Sequence, residues 1–487
     1  MAMGRRERER QEELFVPTAR LAAVEAHPFY RRLNGVLADA GFDAFVEAHC
    51  APFYQAHGPG RPSIAPGVYF RMLFVGYFEG LDSQRGIAWR CNDSLSLREF
   101  LGVPLTEQTP DHSTLSRTRG RLSAEVHERV FEFVLSIAAT KGLLTPKTVG
   151  VDSTTIEADA AMKSIVRRDN GEDYKTFLRR LAAAEGLVDL DDEELRRFDK
   201  KRKDKTCSND EWKSPTDADA RIAKLKDGRT HFAYKAEHVV DLESQIIVGV
   251  EIYHGDSGDA ATLVDSLALA QAHLDRAATI SEMPPAETPA EEAAQAAASV
   301  GAGPRIEEVV ADKGYHKAET LELADDLGYR TYVAEPKRVA RLWIDKPAGQ
   351  QRAVYNNRAR INRGKSKALH RLRGERVERS FAHVCDSGGT RRTWLHGLVE
   401  TAKRYNIATA AHNLAVILRA LFGIGKPKAL QGKRVADPSA EFGRFWAIWQ
   451  TAWRFRRAWN TMTLISRSLT ILCQFVVVKT WIQPKAT

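Results

Sequence analysis

The chain has 487 residues, of which 43% are hydrophobic and 28% charged. This excludes a wholly disordered chain and predicts two or three domains around at least one large core. Lys and Arg total 72 against 63 Asp and Glu, a net charge of +9 that suits a polyanionic partner without identifying one. Five scattered cysteines with no CxxC pair exclude the common zinc-finger spacing and suggest free thiols in a reducing cytoplasm. The opening MAMGRRERERQEELF carries no apolar run of the signal-peptide kind. The longest late apolar run, Leu469 to Val478, falls short of the roughly 20 residues needed to span a bilayer.

Residues 1–26 form a charged extension. From His27 to about residue 145 the pattern is helical, with GVYFRMLFVGYF apolar at helix spacing and a clear apolar face from Ala124 to Leu144. Thr109-Pro110-Asp111-His112 predicts a helix start with Thr109 as N-cap and Pro110 at the first position. The texture changes at Thr148-Val-Gly-Val-Asp152, a strand expected to end at its carboxylate. Residues 163–213 are polar and mostly helical. Thr230–Lys235 and Gln245–Tyr253 predict strands joined through the turn Asp241-Leu-Glu-Ser. A helix from Ala260 to about Ala278 follows, then a low-complexity linker over 279–304. Ile306–Asp312 predicts a second strand ending in a carboxylate, followed by a helix (Ala318–Leu327), a strand (Arg330–Val333) and helices from about Arg373 to Ala420. Strands alternating with helices point to an α/β layer fold behind an all-α region.

Asp152 and Asp312 carry the chemistry. Each closes an apolar β-run, and adjacent strands ending at one sheet edge would bring the two together. Paired carboxylates are costly without a counter-cation, and hard divalent ions with oxygen ligands supply one. Two such ions can activate a nucleophile and stabilise the leaving oxygen at a phosphate. From Arg358 to Arg379 there are nine Arg or Lys and two acids, Glu375 and Glu378. Val377, Phe381 and Val384 recur at helical spacing, so Glu378 lies beside an apolar stripe in a strongly basic helix. It can complete a metal site or simply pair with a neighbouring arginine.

VDSTT, ADKGY and GERVERSFAH, in this order, resemble the three acidic signatures of bacterial insertion-sequence DDE transposases. SNDEWKSPTDADARIAKLKDGRTHFAYKAEHVVD, GDSGDAATL, RPSIAP and TPDHSTLSRTRGRL are similar to the same family, so the likeness runs from about 27 to 420. The resemblance implies an RNase H-like mixed sheet flanked by helices, preceded by a helical DNA-binding domain. On it, 27–145 would bind DNA, and 146–422 would be the catalytic domain, with a charged helical insert over 163–213. Asp152, Asp312 and Glu378 would be the catalytic, metal-binding triad. Mg²⁺ would be the cofactor, with Mn²⁺ as a substitute. Terminal inverted repeats would be cleaved, and their 3′-OH ends joined to target DNA. Many relatives place Tyr seven before, Arg four before and Lys seven after the glutamate, where this chain has Arg371, Gly374 and Cys385. Glu375, with Arg371 four residues before it, stays open as the third acid.

Arg117, Arg119 and Arg121 on one helix are candidates to enter a groove or grip phosphates. Lys313, Arg371, Arg376 and Arg379 are candidate phosphate contacts around the acids. Asp217, Asp219, Arg221 and Lys235 match family positions and suit an ion-pair network. His238 and His254 suit hydrogen-bonded strand histidines, and Tyr315 suits either core packing or a place near the site. The tail from 423 onward, with Trp446, Trp449 and Trp453, predicts an amphipathic helix. The expected partners are double-stranded DNA and further copies of the chain on paired ends, with no membrane; the expected location is the cytoplasm, at the nucleoid when bound to DNA. The alternative is a catalytically inactive or domesticated transposase acting as a DNA-binding protein.

Overall fold

The computed structural model describes residues 27–54, 63–203, 208–224, 228–280, 291, 294, 297–337, 343–344 and 346–430. Seven helices come first: α1 (Pro28–Asp39), α2 (Phe42–Cys50), α3 (Pro66–Glu79), α4 (Gln84–Asn92), α5 (Leu95–Leu101), α6 (His112–Arg121) and α7 (Ala124–Thr140). Helix α3 is buried on nearly every side, through Tyr69, Phe70, Met72, Phe74, Val75, Tyr77 and Phe78. An apolar pattern that runs all round a helix belongs at the centre of a helical cluster. Its one buried cation, Arg71, is held bidentately by Asp43 (2.5 and 2.8 Å) and by Asn34 Oδ1 (3.0 Å).

The start of α6 differs from expectation. Asp111, not Thr109, is the N-cap, with its carboxylate accepting from the Thr114 amide at 2.7 Å. An ionised cap is the stronger acceptor at a helix N-terminus, and Thr109 instead donates to Asn92 Oδ1. Helix α7 ends at Thr140, four residues before the expected Leu144.

Strand β1 (Thr148–Glu157) begins the sheet. It does not stop at Asp152, because β-branched Thr154, Thr155 and Ile156 carry it onward. The polar insert holds β2 (Val166–Arg167), α8 (Tyr174–Ala184), α9 (Asp192–Lys201) and β3 (Trp212–Lys213). Its small core is Trp212 with Tyr174 and Phe177 packed edge-on. Next come β4 (Arg221–Lys224), β5 (Thr230–Asp241) and β6 (Ile247–His254), then α10 (Asp259–Thr279). The expected low-complexity linker lies largely outside the described residues, but its end docks on α10. There Gly301 and Gly303 donate their amides to the Asp275 carboxylate. Strand β7 (Glu308–Ala311), α11 (Ala318–Asp326), β8 (Arg330–Val333), α12 (Ala348–Ile361), α13 (Gly364–Phe381) and α14 (Leu398–Phe422) complete the order. The basic run 358–379 is therefore helical over most of its length.

The main sheet has the order β6-β5-β1-β7-β8, with β4 pairing the first residues of β5. β1, β5 and β6 are antiparallel neighbours, whereas β7 and β8 run parallel to β1. The parallel pair needs helical crossovers, which α10 and α11 supply. Three antiparallel strands followed by two parallel ones, with helices on both faces, is the RNase H-like arrangement expected from the motifs.

Helix α10 packs on β5 and β6, α13 crosses β1 on the other side, and α14 packs on α7, α3 and β6. The described residues as far as Pro427 belong to one compact unit. The residue-145 boundary is thus a change in chain pattern, not a gap in packing. Helix α14 is long and apolar enough to cross a membrane, but most of its apolar side chains, among them Tyr405, Ile407, Leu414 and Ile417, are buried in this unit. From Lys428 a second unit begins, and Trp446, Trp449 and Trp453 lie outside the described residues.

Candidate active site

The parallel register of β1 and β7 pairs Thr148 with Glu308, Val149 with Val309 and Gly150 with Val310. Continued by two residues, it sets Asp152 beside Asp312. Asp312 directly follows β7, and its Oδ1 accepts from the Gly314 amide at 2.7 Å. Asp152 lies in mid-strand. Its Oδ1 accepts from the Ser153 amide (2.8 Å), and its Oδ2 from Arg373 Nη1 on α13 (2.8 Å). Burial holds the Asp152 carboxyl above its usual range, against Arg373 and the Ser153 amide, which lower it; Asp312 adds to the rise.

Helix α13 lies close because residue 150 is glycine. A Cβ there would meet Leu242 Cδ2 at 2.8 Å, Val377 Cγ2 at 2.9 Å and Arg373 Cγ at 3.1 Å. Close approach turns Arg373 and Val377 onto the sheet and fixes the helix rotation. Arg376, on one flank, donates to the Leu242 and Glu243 carbonyls of the β5–β6 turn. His370 lies on the other flank, where burial and then the Arg373 charge hold its pKa below the usual value, with Asp312 opposing. Residues 370, 374 and 378 follow one another at i+4, so Glu378 continues the His370 ridge. Gly374 between them leaves the ridge low, and the exposed Glu378 lies back along it, with Oε1 3.9 Å from the place a Gly374 Cβ would take. Glu375 is instead paired with Arg379 at 2.8 Å, and Arg379 also reaches Gln245.

Behind Asp152, on the α13 face, His238 pairs across the strands with it. The ring is buried, stacks on Phe381, and contacts Ser380 Oγ (2.8 Å) and the Tyr405 hydroxyl (2.9 Å). Ser380 donates its proton to the Val377 carbonyl, so Nδ1 is the donor to Ser380 and Nε2 accepts from Tyr405. Burial pushes the His238 pKa down to about 3, so the ring is neutral. This is the hydrogen-bonded strand histidine expected, as is His254, which contacts the Asp219 carbonyl. Tyr315 is fully buried, with its hydroxyl donating to Glu237 Oε2 at 3.1 Å.

The opposite face of the sheet carries, on β5, the lysine expected to join an ion-pair network. Lys235 is 5% exposed, and its ammonium contacts Asp259 Oδ1 (2.9 Å), Glu237 Oε2 (3.1 Å) and Thr262 Oγ1 (2.9 Å). Asp259 opens α10 and also accepts from Ser153 Oγ at 2.9 Å. GDSGDAATL and the matching Lys235 were the available signals. Arg373 was hidden among nine basic residues of equal prominence.

The candidate DNA contacts divide. Arg117 is exposed and reaches only Ser113 and Thr114 of its own helix. Arg121 is exposed beside Ser63 and over the Tyr54 ring. Arg119 is turned inward to Glu400 of α14 (2.7 Å) with 15% of its side chain exposed. Lys313, which directly follows Asp312, is exposed, and so is Arg371 on α13. Arg376 and Arg379 hold the β5–β6 turn as described. Asp217 and Asp219 cap the start of α14 by accepting from the Gly397 and Leu398 amides.

Among the described residues, one set of three ligating side chains brings its donor atoms within 4.8 Å: Glu128, Glu132 and His273. It joins α7 to the far half of α10, about 21 Å along the helix from Asp259 at 1.5 Å per residue. Arg276 already neutralises it, 3.0 Å from Glu128 and 2.7 Å from Glu132, which makes it an ion-pair network. Asp152, Asp312 and Glu378 do not form a set of that tightness.

The sheet order and helix placement define an RNase H-like protein with paired carboxylates at adjacent strands. The Transposase domain (DUF772) family model matches residues 19–121, and the Transposase DDE domain model matches residues 185–414. Together they take in well over half of the chain, and the chain belongs to the insertion-sequence DDE transposases. Asp312 and Glu378 fall inside the second match; Asp152 lies between the two. No curated protein and no solved structure gave a match.

Proposed function

We propose that this transposase cleaves DNA at the ends of its own element and joins the freed 3′-OH ends to target DNA, using Asp152, Asp312 and Glu378. The observation that supports the reading is the parallel register of β1 and β7, whose continuation by two residues would bring Asp152 alongside Asp312, with Glu378 on the neighbouring α13 ridge. The donor set suits Mg²⁺, with Mn²⁺ as a substitute: oxygen ligands only, from adjacent like charges. Among the described residues neither Asp312 nor Glu378 has a cationic side chain within 4.0 Å, so their charge is available to a cation. When bound, such ions supply charge neutralisation at the phosphate and a more acidic water.

The chain's own residues supply the rest. Asp152 and Asp312 present fixed oxygens from the rigid sheet, and Glu378 presents a less constrained one from the helix. Arg373 fixes the Asp152 carboxylate and offsets part of the charge repulsion. Exposed Lys313 and Arg371 are the cations offered to phosphates of the bound strand. Arg117 and Arg121 are available to duplex further out, in a protein whose partner is DNA. Reaction in line at phosphorus needs no covalent protein intermediate.

The test is strand transfer. Pre-cleaved duplexes ending in the element's inverted repeat, with either a free or a blocked 3′ end, are incubated with a plasmid and Mg²⁺. Joining that requires the free 3′-OH and is lost in Asp312→Asn is expected. Specific binding without joining or cutting under Mg²⁺ or Mn²⁺ would overturn the reading in favour of a DNA-binding protein. Cutting without joining would reduce it to a nuclease.

A further inference from the structure

The Lys235 cluster is more elaborate than packing requires, and one of its members points toward the acids. Asp259 uses Oδ1 for both of its bonds, to Ser153 Oγ and to the Lys235 ammonium. Its other oxygen, Oδ2, reaches round the end of β7. A Cβ on Gly314 would stand 2.6 Å from Asp259 Oδ2 and 3.0 Å from Asp312 Oδ1. Both oxygens therefore lie within 3.0 Å of one point, and glycine is the residue that leaves that point open. The same Gly314 amide holds Asp312 Oδ1. Ser153, which anchors Asp259, is the chain neighbour of Asp152.

From this geometry we infer that Asp259 is a fourth acid of the divalent-cation site, with Oδ2 as an oxygen ligand or as the acceptor for a cation-bound water. The inference rests on the cation site proposed above. Lys235 is a positioning residue here. It is nearly excluded from solvent, its ammonium balances Asp259 and Glu237, and it turns Asp259 so that Oδ2 faces outward. The arrangement explains why a lysine is buried beside two carboxylates. A buried ion pair is a poor source of stability, so fixing the direction of a carboxylate is the better use.

The experiment is Mn²⁺ binding to the full chain, followed by the paramagnetic signal of free Mn²⁺, with unfolding midpoints measured in EDTA. Asp259→Asn, which conserves shape, is expected to weaken Mn²⁺ binding about 10-fold or more, the loss typical when a supporting ligand goes. Its midpoint in EDTA is expected to stay close to that of the unaltered chain. Ser153→Ala, which frees Oδ1 from one anchor, is expected to give a smaller loss in the same direction and serves as the second variant should Asp259→Asn not fold. Mn²⁺ affinity unchanged in a folded Asp259→Asn chain, or in Ser153→Ala where that variant alone folds, overturns the inference while leaving the three-acid site intact. Absence of Mn²⁺ binding to the unaltered chain, or binding indifferent to Asp152→Asn, overturns both readings together.

Discussion

At the scale of single residues, carboxylates in this protein are made different by what surrounds them. Asp152 is tied to Arg373, Asp312 to a backbone amide, and Glu375 to Arg379. Glu251, on β6, is the opposite case: burial, with Glu128 as the next contribution, pushes its pKa up to about 7. A carboxyl raised above its unfolded value of about 4.3 holds a proton that the unfolded chain releases. Its contribution is therefore fully present below that unfolded value and is lost as pH rises through about 7. Glu251→Gln keeps the neutral form at every pH. The variant is expected to match the unaltered chain in urea at pH 4 and to be more stable at pH 8, by on the order of 1–2 kcal/mol after allowance for partial exposure. An equal difference between the two chains at both pH values would contradict this.

At the scale of elements, the decisive contact is α13 on β1. Gly150→Ala would drive a methyl group into Val377 and Arg373, at 2.9 and 3.1 Å. Overpacking of this kind costs about 1–3 kcal/mol. The helix must shift, so the variant is expected to lose both thermal stability and DNA cleavage; an unchanged melting temperature with full cleavage would show that α13 does not need this approach. The strands and helices around the acids were largely legible in the sequence. Val-Gly-Val-Asp and Val-Val-Ala-Asp carry β-patterns that need no tertiary help, and β8 falls on its expected bounds, Arg330–Val333. What was not legible depended on partners far along the chain. The β-branched residues after Asp152 favour extension, but where β1 ends depends on its pairing with β5, which continues to Glu157. The inward turn of Arg119 is set by Glu400, 281 residues later. The rotation of α13, which separates Glu378 from Glu375, is set by Gly150 and by the β5–β6 turn. A single sequence shows none of these distances, and thus Arg373 did not stand out from its basic neighbours, and the GDSGDAATL segment gave no role for Asp259.

At the scale of the whole molecule, the helical region and the sheet region share one core through α7 and α14, so DNA held by the first has a fixed relation to the acids of the second. Its exposed candidates for DNA contact are Arg117 and Arg121, since Arg119 is occupied within the fold. Replacing both with alanine is expected to weaken binding to the element end. If each meets one phosphate, the slope of log K against log salt should fall by about 1.8, at about 0.9 per phosphate for duplex DNA. Binding titrations between 50 and 200 mM salt measure this directly. An unaltered slope would place the DNA elsewhere on the protein, and Arg119→Ala should lower stability more than it alters the slope.

The most direct test of the account is cleavage of a labelled duplex spanning the boundary between flanking DNA and the terminal inverted repeat, with Mg²⁺ or EDTA. The unaltered chain is expected to nick at the repeat boundary only with the metal. Asp152→Asn, Asp312→Asn and Glu378→Gln should each reduce the rate by about 100-fold or more, the scale seen when an electrostatic contributor to a transition state is removed. Glu375→Gln should cleave nearly as well as the unaltered chain. Nicking that survives Asp152→Asn, or that is lost in Glu375→Gln and kept in Glu378→Gln, would contradict the site described here.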